Sequence, residues 1–142
     1  MADYNKVGLL VLNESKDKFL VCVPGNYASR KKFNGYLFPG GKFHNGEDDL
    51  ACLKREIWEE LGCGLVEESI EFIEEFEDAA GTDPSKTVSI RLYKAGLQGE
   101  PKPHSEIGEL VWLGKESVNE PRMTPIARNK IIPYLVANGI LK

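Results

Sequence analysis

The chain has 142 residues, 42% of them hydrophobic, with 22 acidic side chains against 18 basic and a net charge of −4. That is the size and make-up of one domain able to bury a core without disulfides. Its acidic balance argues against long nucleic acid or an anionic membrane as partner. No apolar run approaches the roughly 18 residues of a membrane span, and the opening Met-Ala-Asp-Tyr-Asn-Lys lacks the apolar centre of a secretory leader. Cys22, Cys52 and Cys63 form no CxxC pair and read as reduced, buried residues, so cytoplasm is the expected compartment.

Two apolar runs, Val7 to Leu12 and Phe19 to Val23, flank a polar stretch from Asn13 to Lys18, which predicts a hairpin. Pro24 to Gly35 is polar and basic and reads as a surface loop. Tyr36-Leu37-Phe38 is a brief apolar segment ended by Pro39-Gly40-Gly41, where the glycines predict a tight turn. From Asp48 to Leu61, apolar residues at Leu50, Leu53, Ile57 and Leu61 recur every three or four positions and predict a helix. Asp48 and Asp49 suit its start, and Gly62 its C-terminal stop. Strands are predicted near Ile70 to Phe76, Thr87 to Ala95 and Leu110 to Leu113, with a loop from Gly96 to Ser105. Thr124-Pro125 predicts a helix start, and the helix should run to about Ala137 with Pro133 kinking or shortening it. Strands, helix, strands and helix in that order predict a single α/β or α+β domain over residues 1–142.

The first predicted helix carries the chemistry. At 100° per residue, Glu56, Glu59 and Glu60 fall within an arc roughly 100° wide, beside the apolar stripe and not on it. Three carboxylates so close repel one another. Such a cluster is either a solvated acidic face or a site for a hard divalent cation such as Mg²⁺ or Mn²⁺. Arg55, one residue before Glu56, is placed to orient a carboxylate. Gly40-Gly41 and Glu47 lie just upstream, and a backbone carbonyl from that turn is a candidate further ligand.

The segment from Gly41 through Glu47 and Arg55-Glu56 to Glu59-Glu60, Gly62 and Cys63 resembles the Nudix box, GX5EX7REUXEEXGU with U aliphatic. Every fixed position matches, and Cys63 at the last U is the one soft departure. Leu37-Phe38-Pro39-Gly40-Gly41 also resembles the approach to the box. The resemblance implies an α/β fold, the Nudix-type α/β/α sandwich with a mixed sheet, and a metal-dependent hydrolase of diphosphate bonds. It implies that Glu59 and Glu60 bind Mg²⁺ (or Mn²⁺), with Glu56 a third ligand or the general base. The carbonyl of Gly40 would be a further ligand, and Gly41, Glu47, Arg55 and Gly62 would orient the group. By similarity to MutT-like members, Glu106 would be a late metal ligand or base, with Glu109 the competing residue.

The substrate is set outside the box. The proline typical of ADP-ribose hydrolases is replaced here by Ala79-Ala80-Gly81. The SQPWPFPxS array of NADH-cleaving members is absent, and Ala80 stands where diadenosine-polyphosphate members carry tyrosine. These absences favour a nucleoside triphosphate or a modified, for instance oxidised, nucleotide. Asn119-Glu120-Pro121 resembles the MutT segment whose Asn reads a purine edge, a task an amide's donor and acceptor can perform; the same Asn also reads as a loop or capping residue. Arg30, Lys31 and Lys32 are candidates for the distal phosphates, or a solvated loop. Phe33 and Tyr36 are candidates for base stacking, or packing. His104 reads as a surface residue beside Glu106 that is placed to shuttle protons. His44 reads as a bystander, and Trp58 and Trp112 as packing residues. A small nucleotide is the expected partner, with no long nucleic acid and no membrane, and a homodimer is compatible with the sequence. Hydrolysis of ADP-ribose or a nucleotide sugar is the alternative enzyme, and a ligand-sensing domain without turnover is the alternative of another class.

Overall fold

The computed structural model describes residues 2–25, 35–81 and 83–142. Four strands form a mixed sheet in the order β3-β1-β6-β5, built from Gly40–Lys42, Tyr4–Leu10, Thr87–Lys94 and Glu71–Ala79 respectively. β1 runs parallel to β6 and antiparallel to β3, and β5 is antiparallel to β6. A second ladder pairs β2 (Phe19–Pro24) with β8 (Ile107–Leu113), and a short one pairs β4 (Gly64–Leu65) with β7 (Leu97–Gln98). Helix α1 spans Asp49–Leu61, and the C-terminal helix ends in α2, Ile132–Ala137.

Alternation along β1 explains the layers. Val7, Leu9 and Val11 point to one side and pack with Cys52, Leu53, Ile57 and Leu61 of α1. Leu10 points to the other side and packs with Phe19, Val88, Leu92, Ile131, Ile132 and Leu135. The strands thus lie between two helical layers, which is the α/β/α arrangement expected. Truncating Ile57 or Leu61, both fully buried, to Ala would cost about 2–5 kcal/mol.

The start of α1 is fixed twice. Asp48 Oδ1 accepts the Ala51 N–H at 2.9 Å, an N-cap. Asp49 in the first turn is held by Arg91 Nε at 2.6 Å and the Tyr93 hydroxyl at 2.5 Å, both from β6. Gly62 ends the helix in the left-handed region, φ 68°, with its N–H donating to the Trp58 carbonyl.

Several expectations are corrected. The hairpin at Asn13 exists only at its tip, where Leu12 pairs with Phe19 and Asn13 Oδ1 accepts the N–H groups of Asp17 and Lys18, both at 3.0 Å. Beyond the tip β1 and β2 part, because β1 finds two other partners and β2 pairs with β8. Gly40-Gly41 is strand, not turn. Gly40, at φ 137°, lies so close to β1 that a Cβ would collide with the Val7 carbonyl. The Gly96 to Ser105 loop contains β7. The last helix starts at Pro125, with Thr124 Oγ1 accepting the Ala127 N–H at 3.3 Å. Before Pro133 it widens into a π turn over Ala127–Ile131, in which the Ile132 N–H reaches the Ala127 carbonyl. A proline has no N–H for the usual ladder, and the π turn re-spaces it. Trp58 is 65% exposed, not packed, because it sits one residue, hence about 100°, from buried Ile57. Trp112 is likewise exposed.

Candidate active site

The acidic cluster lies where α1 passes the outer edge of β3. Arg55 is its hub. Arg55 Nε and Nη2 grip the two carboxylate oxygens of Glu47 at 2.5 and 3.0 Å, a bidentate pair. Nη1 donates to Glu56 Oε2 at 3.1 Å and to Glu59 Oε1 at 3.2 Å, and Nη2 also reaches the Lys42 carbonyl at 3.0 Å. Glu47 Oε1 additionally accepts the His44 N–H at 2.8 Å. Hydrogen bonds from Arg55 first, and then from the His44 backbone, hold the Glu47 carboxyl down to about 2. The same contacts, Glu47 foremost, push the Arg55 guanidinium up. Glu47 is therefore a fixed anion that locks Arg55, and Arg55 in turn aims Glu56 and Glu59.

Glu60 lies on the other side of the cluster. Its Oε1 accepts the Gly40 N–H at 3.0 Å. Burial pushes its carboxyl up to about 8, with the neighbouring Glu56 charge adding to the effect and the Gly40 N–H opposing it. Glu56 is nearly covered, its side chain 14% exposed, whereas Glu59 is 48% exposed. Gly41 makes room for this arrangement, since a Cβ there would lie 2.5 Å from the Glu56 carboxylate. Gly40 and Gly41 thus let the strand run against β1 on one side and against the acids on the other.

The cluster opens on a cleft of about 260 Å³ between the two main ladders. Glu60, Gly40 and Lys42 line it together with Lys6, Phe38 and Ile90. Ala80 and Gly81 also line it, so the stretch that lacks a proline or tyrosine leaves open space.

A divalent ion is implied by such a cluster, and the residues fit it. All donors are hard oxygens, and Glu60 is a buried carboxyl beside Glu56 that meets no cation side chain at hydrogen-bond distance among the described residues. Among the described residues, no three acidic, imidazole or thiol side chains converge on one point in this conformation. Arg55 holds Glu56 and Glu59 while Gly40 draws Glu60.

The other candidates are spread out. Glu106 is exposed in the turn before β8. That turn is tied to the end of α1, because the His104 N–H donates to the Glu60 carbonyl at 3.0 Å and the Ile107 N–H to the His104 carbonyl at 3.0 Å. Glu109 lies within β8 opposite Val23. The His104 ring covers Gly62, so this histidine packs on the helix end. Asn119 is exposed and lines a separate surface depression with Trp112 and Glu116, away from the cleft. Tyr36 is absent from the cleft lining; its ring lies under Arg122 at 4.4 Å. Arg30, Lys31, Lys32 and Phe33 lie outside the described residues. The cleft residues Lys6, Lys42 and Tyr4 were not among the sequence candidates. The available signal was a lysine and a tyrosine two apart on a strand otherwise turning apolar.

The three cysteines are buried and free. Burial pushes the thiols of Cys52, to about 12, and of Cys22 and Cys63 upward. Among the described residues no helix is long and apolar enough to cross a membrane.

Comparison with known proteins agrees with this fold. The model of the NUDIX domain matches residues 4–135. The MutT protein of Methanosarcina mazei Go1 is similar in structure, with a TM-score of 0.77, 19% identity, and 96% of this chain and 94% of that one covered. A MutT protein from Bacillus halodurans is similar at a TM-score of 0.65 and 24% identity, covering 94% and 82%. The ORF135 protein of E. coli is similar at 0.70 and 18%, covering 95% and 90%. No curated protein matches the chain.

Proposed function

The chain belongs to the NUDIX family, and on that footing we propose that it is a Mg²⁺-dependent pyrophosphohydrolase. Its substrate on this reading is a nucleoside triphosphate or a modified nucleotide, cut to nucleoside monophosphate and pyrophosphate. The observation that carries the proposal is the junction of the acidic cluster with the cleft. Glu60 belongs to both. A phosphoanhydride held at this junction would place its nucleoside inside and its remaining phosphates outside.

When bound, a divalent ion supplies positive charge against the phosphoryl oxygens and acidifies nearby water. Glu59 and Glu60 are the proposed side-chain ligands, with the Gly40 carbonyl beside them. Arg55 holds Oε2 of Glu56, and Glu56 is proposed either to bind metal or to take the proton of the attacking water. Glu106, in the turn tied to Glu60, is the other proposed base or ligand. Glu47 acts through Arg55 and so is a positioning residue. Nothing in the cleft favours Asn119 as the base reader.

The test is a panel of nucleoside triphosphates, oxidised nucleotides, ADP-ribose and nucleotide sugars incubated with Mg²⁺, with products separated by chromatography. Monophosphate plus pyrophosphate supports the proposal. AMP plus a sugar phosphate as the dominant products replaces it with the ADP-ribose or nucleotide-sugar reading. No hydrolysis of any member overturns it.

A further inference from the structure

Among the described residues, one cation of the cleft makes no hydrogen bond and no ion pair. Tyr4, Lys6 and Gly8 alternate along β1 and share the face that lines the cleft. Lys6 stands directly opposite Lys42 of β3 in the antiparallel register. Like charges so placed repel, and Lys42 indeed lowers the affinity of the Lys6 amine for its proton, second only to burial. Lys42 has an outlet: it is exposed, and its ammonium rests over the Tyr4 ring at 4.6 Å. Lys6 is half-buried, and among the described residues its ammonium makes no hydrogen bond and no ion pair. Glu60 and Glu56 act on it only at longer range. An enclosed ammonium is costly unless something accepts its hydrogen bonds. The floor beside it is flat, because Gly8 has no side chain and a Cβ there would meet Ile90 at 3.0 Å.

We propose that Lys6 is a substrate-binding residue. Its ammonium, with Lys42 opposite, binds the anionic oxygens of the phosphoryl group that stays on the cleft side of the bond being cut. This rests on reading the cleft as the substrate site. An anion between the two lysines removes their repulsion and supplies acceptors that Lys6 does not find among the described residues. It also sets the phosphoryl group next to Glu60.

The experiment is calorimetric titration of AMP, GMP, CMP and UMP into wild type, Lys6→Met and Lys6→Arg, in EDTA. Methionine keeps the apolar stem, so the walls of the cleft are retained, and thermal melts check folding. Lys6→Met should weaken binding of all four nucleotides by about tenfold to a hundredfold, the range for a hydrogen bond to a charged group. Lys6→Arg should retain binding within about threefold, well inside the tenfold that one unit of log affinity represents. Undiminished binding by Lys6→Met, or no binding of any of the four to wild type, overturns the proposal. A loss that spares AMP, whose base has no carbonyl, places the ammonium on a base oxygen and also overturns it. Because no metal or turnover enters the assay, it stays readable if the wild type hydrolyses nothing on the substrate panel.

Discussion

Glu60→Gln should make the metal-free protein more stable at neutral pH while disabling it. Burial, with Glu56 behind it, raises the Glu60 carboxyl from 4.5 to about 8 in the folded chain. A group whose folded pKa lies above its unfolded value favours folding while protonated. That contribution is whole below about pH 4.5 and is lost as pH rises through about 8. At 1.36 kcal/mol per tenfold, the loss reaches about 3 kcal/mol by pH 7. Glutamine keeps the oxygen that accepts the Gly40 N–H and carries no charge, so the loss disappears. Urea denaturation in EDTA at a series of pH values from 4.5 to 8.5 measures the difference. Wild type should weaken with rising pH relative to the variant, by about 3 kcal/mol at pH 7. Added Mg²⁺ should then stabilise wild type by mass action and the variant much less. A variant less stable than wild type at pH 7 in EDTA would refute the reasoning, as would a difference that does not change with pH.

Gly41→Ala puts a methyl group 2.5 Å from the Glu56 carboxylate; the chain should still fold, since a side-chain end can yield, while kcat falls by about tenfold or more, as steady-state assays would show. Arg55→Lys keeps the charge but loses the fork that holds Glu47, Glu56 and Glu59; kcat should fall by about tenfold or more with KM little changed, and equal loss in both parameters would count against a positioning role. Iodoacetamide should leave Cys22, Cys52 and Cys63 unmodified in the native protein at pH 7.5, because burial keeps all three as thiols; mass spectrometry showing rapid native labelling would contradict that.

The parts legible in the sequence are those governed by local period. The α1 stripe of Leu50, Leu53, Ile57 and Leu61 repeats every three or four residues, so the helix and its core-facing side are legible directly. Gly62 as its C-terminal stop is an equally local signal, whereas Asp48 reads only as an acid suited to the helix dipole and proves in the structure to be the N-cap. The placement of Glu56, Glu59 and Glu60 beside that stripe follows from the same geometry.

What local period does not carry is which strand meets which. The parallel pairing of β1 with β6 spans a large sequence separation and depends on both faces of β1 being covered. The same competition draws β2 away to β8. Gly40-Gly41 read as a turn because glycine is common there, yet the pair serves close packing of β3 against β1 and Glu56. Lys6 is not legible as a cleft residue, because a single lysine in a strand reads as a solvent-facing position. Only the fold shows that its neighbours Tyr4 and Gly8 line a cleft. Asn119 was singled out on a three-residue likeness, and the chain turns it to a different surface.

Turnover of the best substrate as a function of Mg²⁺, in wild type and Glu60→Gln, tests the central claim most directly. The account predicts no hydrolysis by wild type in EDTA, saturable recovery with Mg²⁺, and at least a hundredfold lower kcat in the variant, about 2.7 kcal/mol of transition-state stabilisation, with the fold intact by melting. Hydrolysis that persists in EDTA, or a folded variant within threefold of wild type, would contradict it.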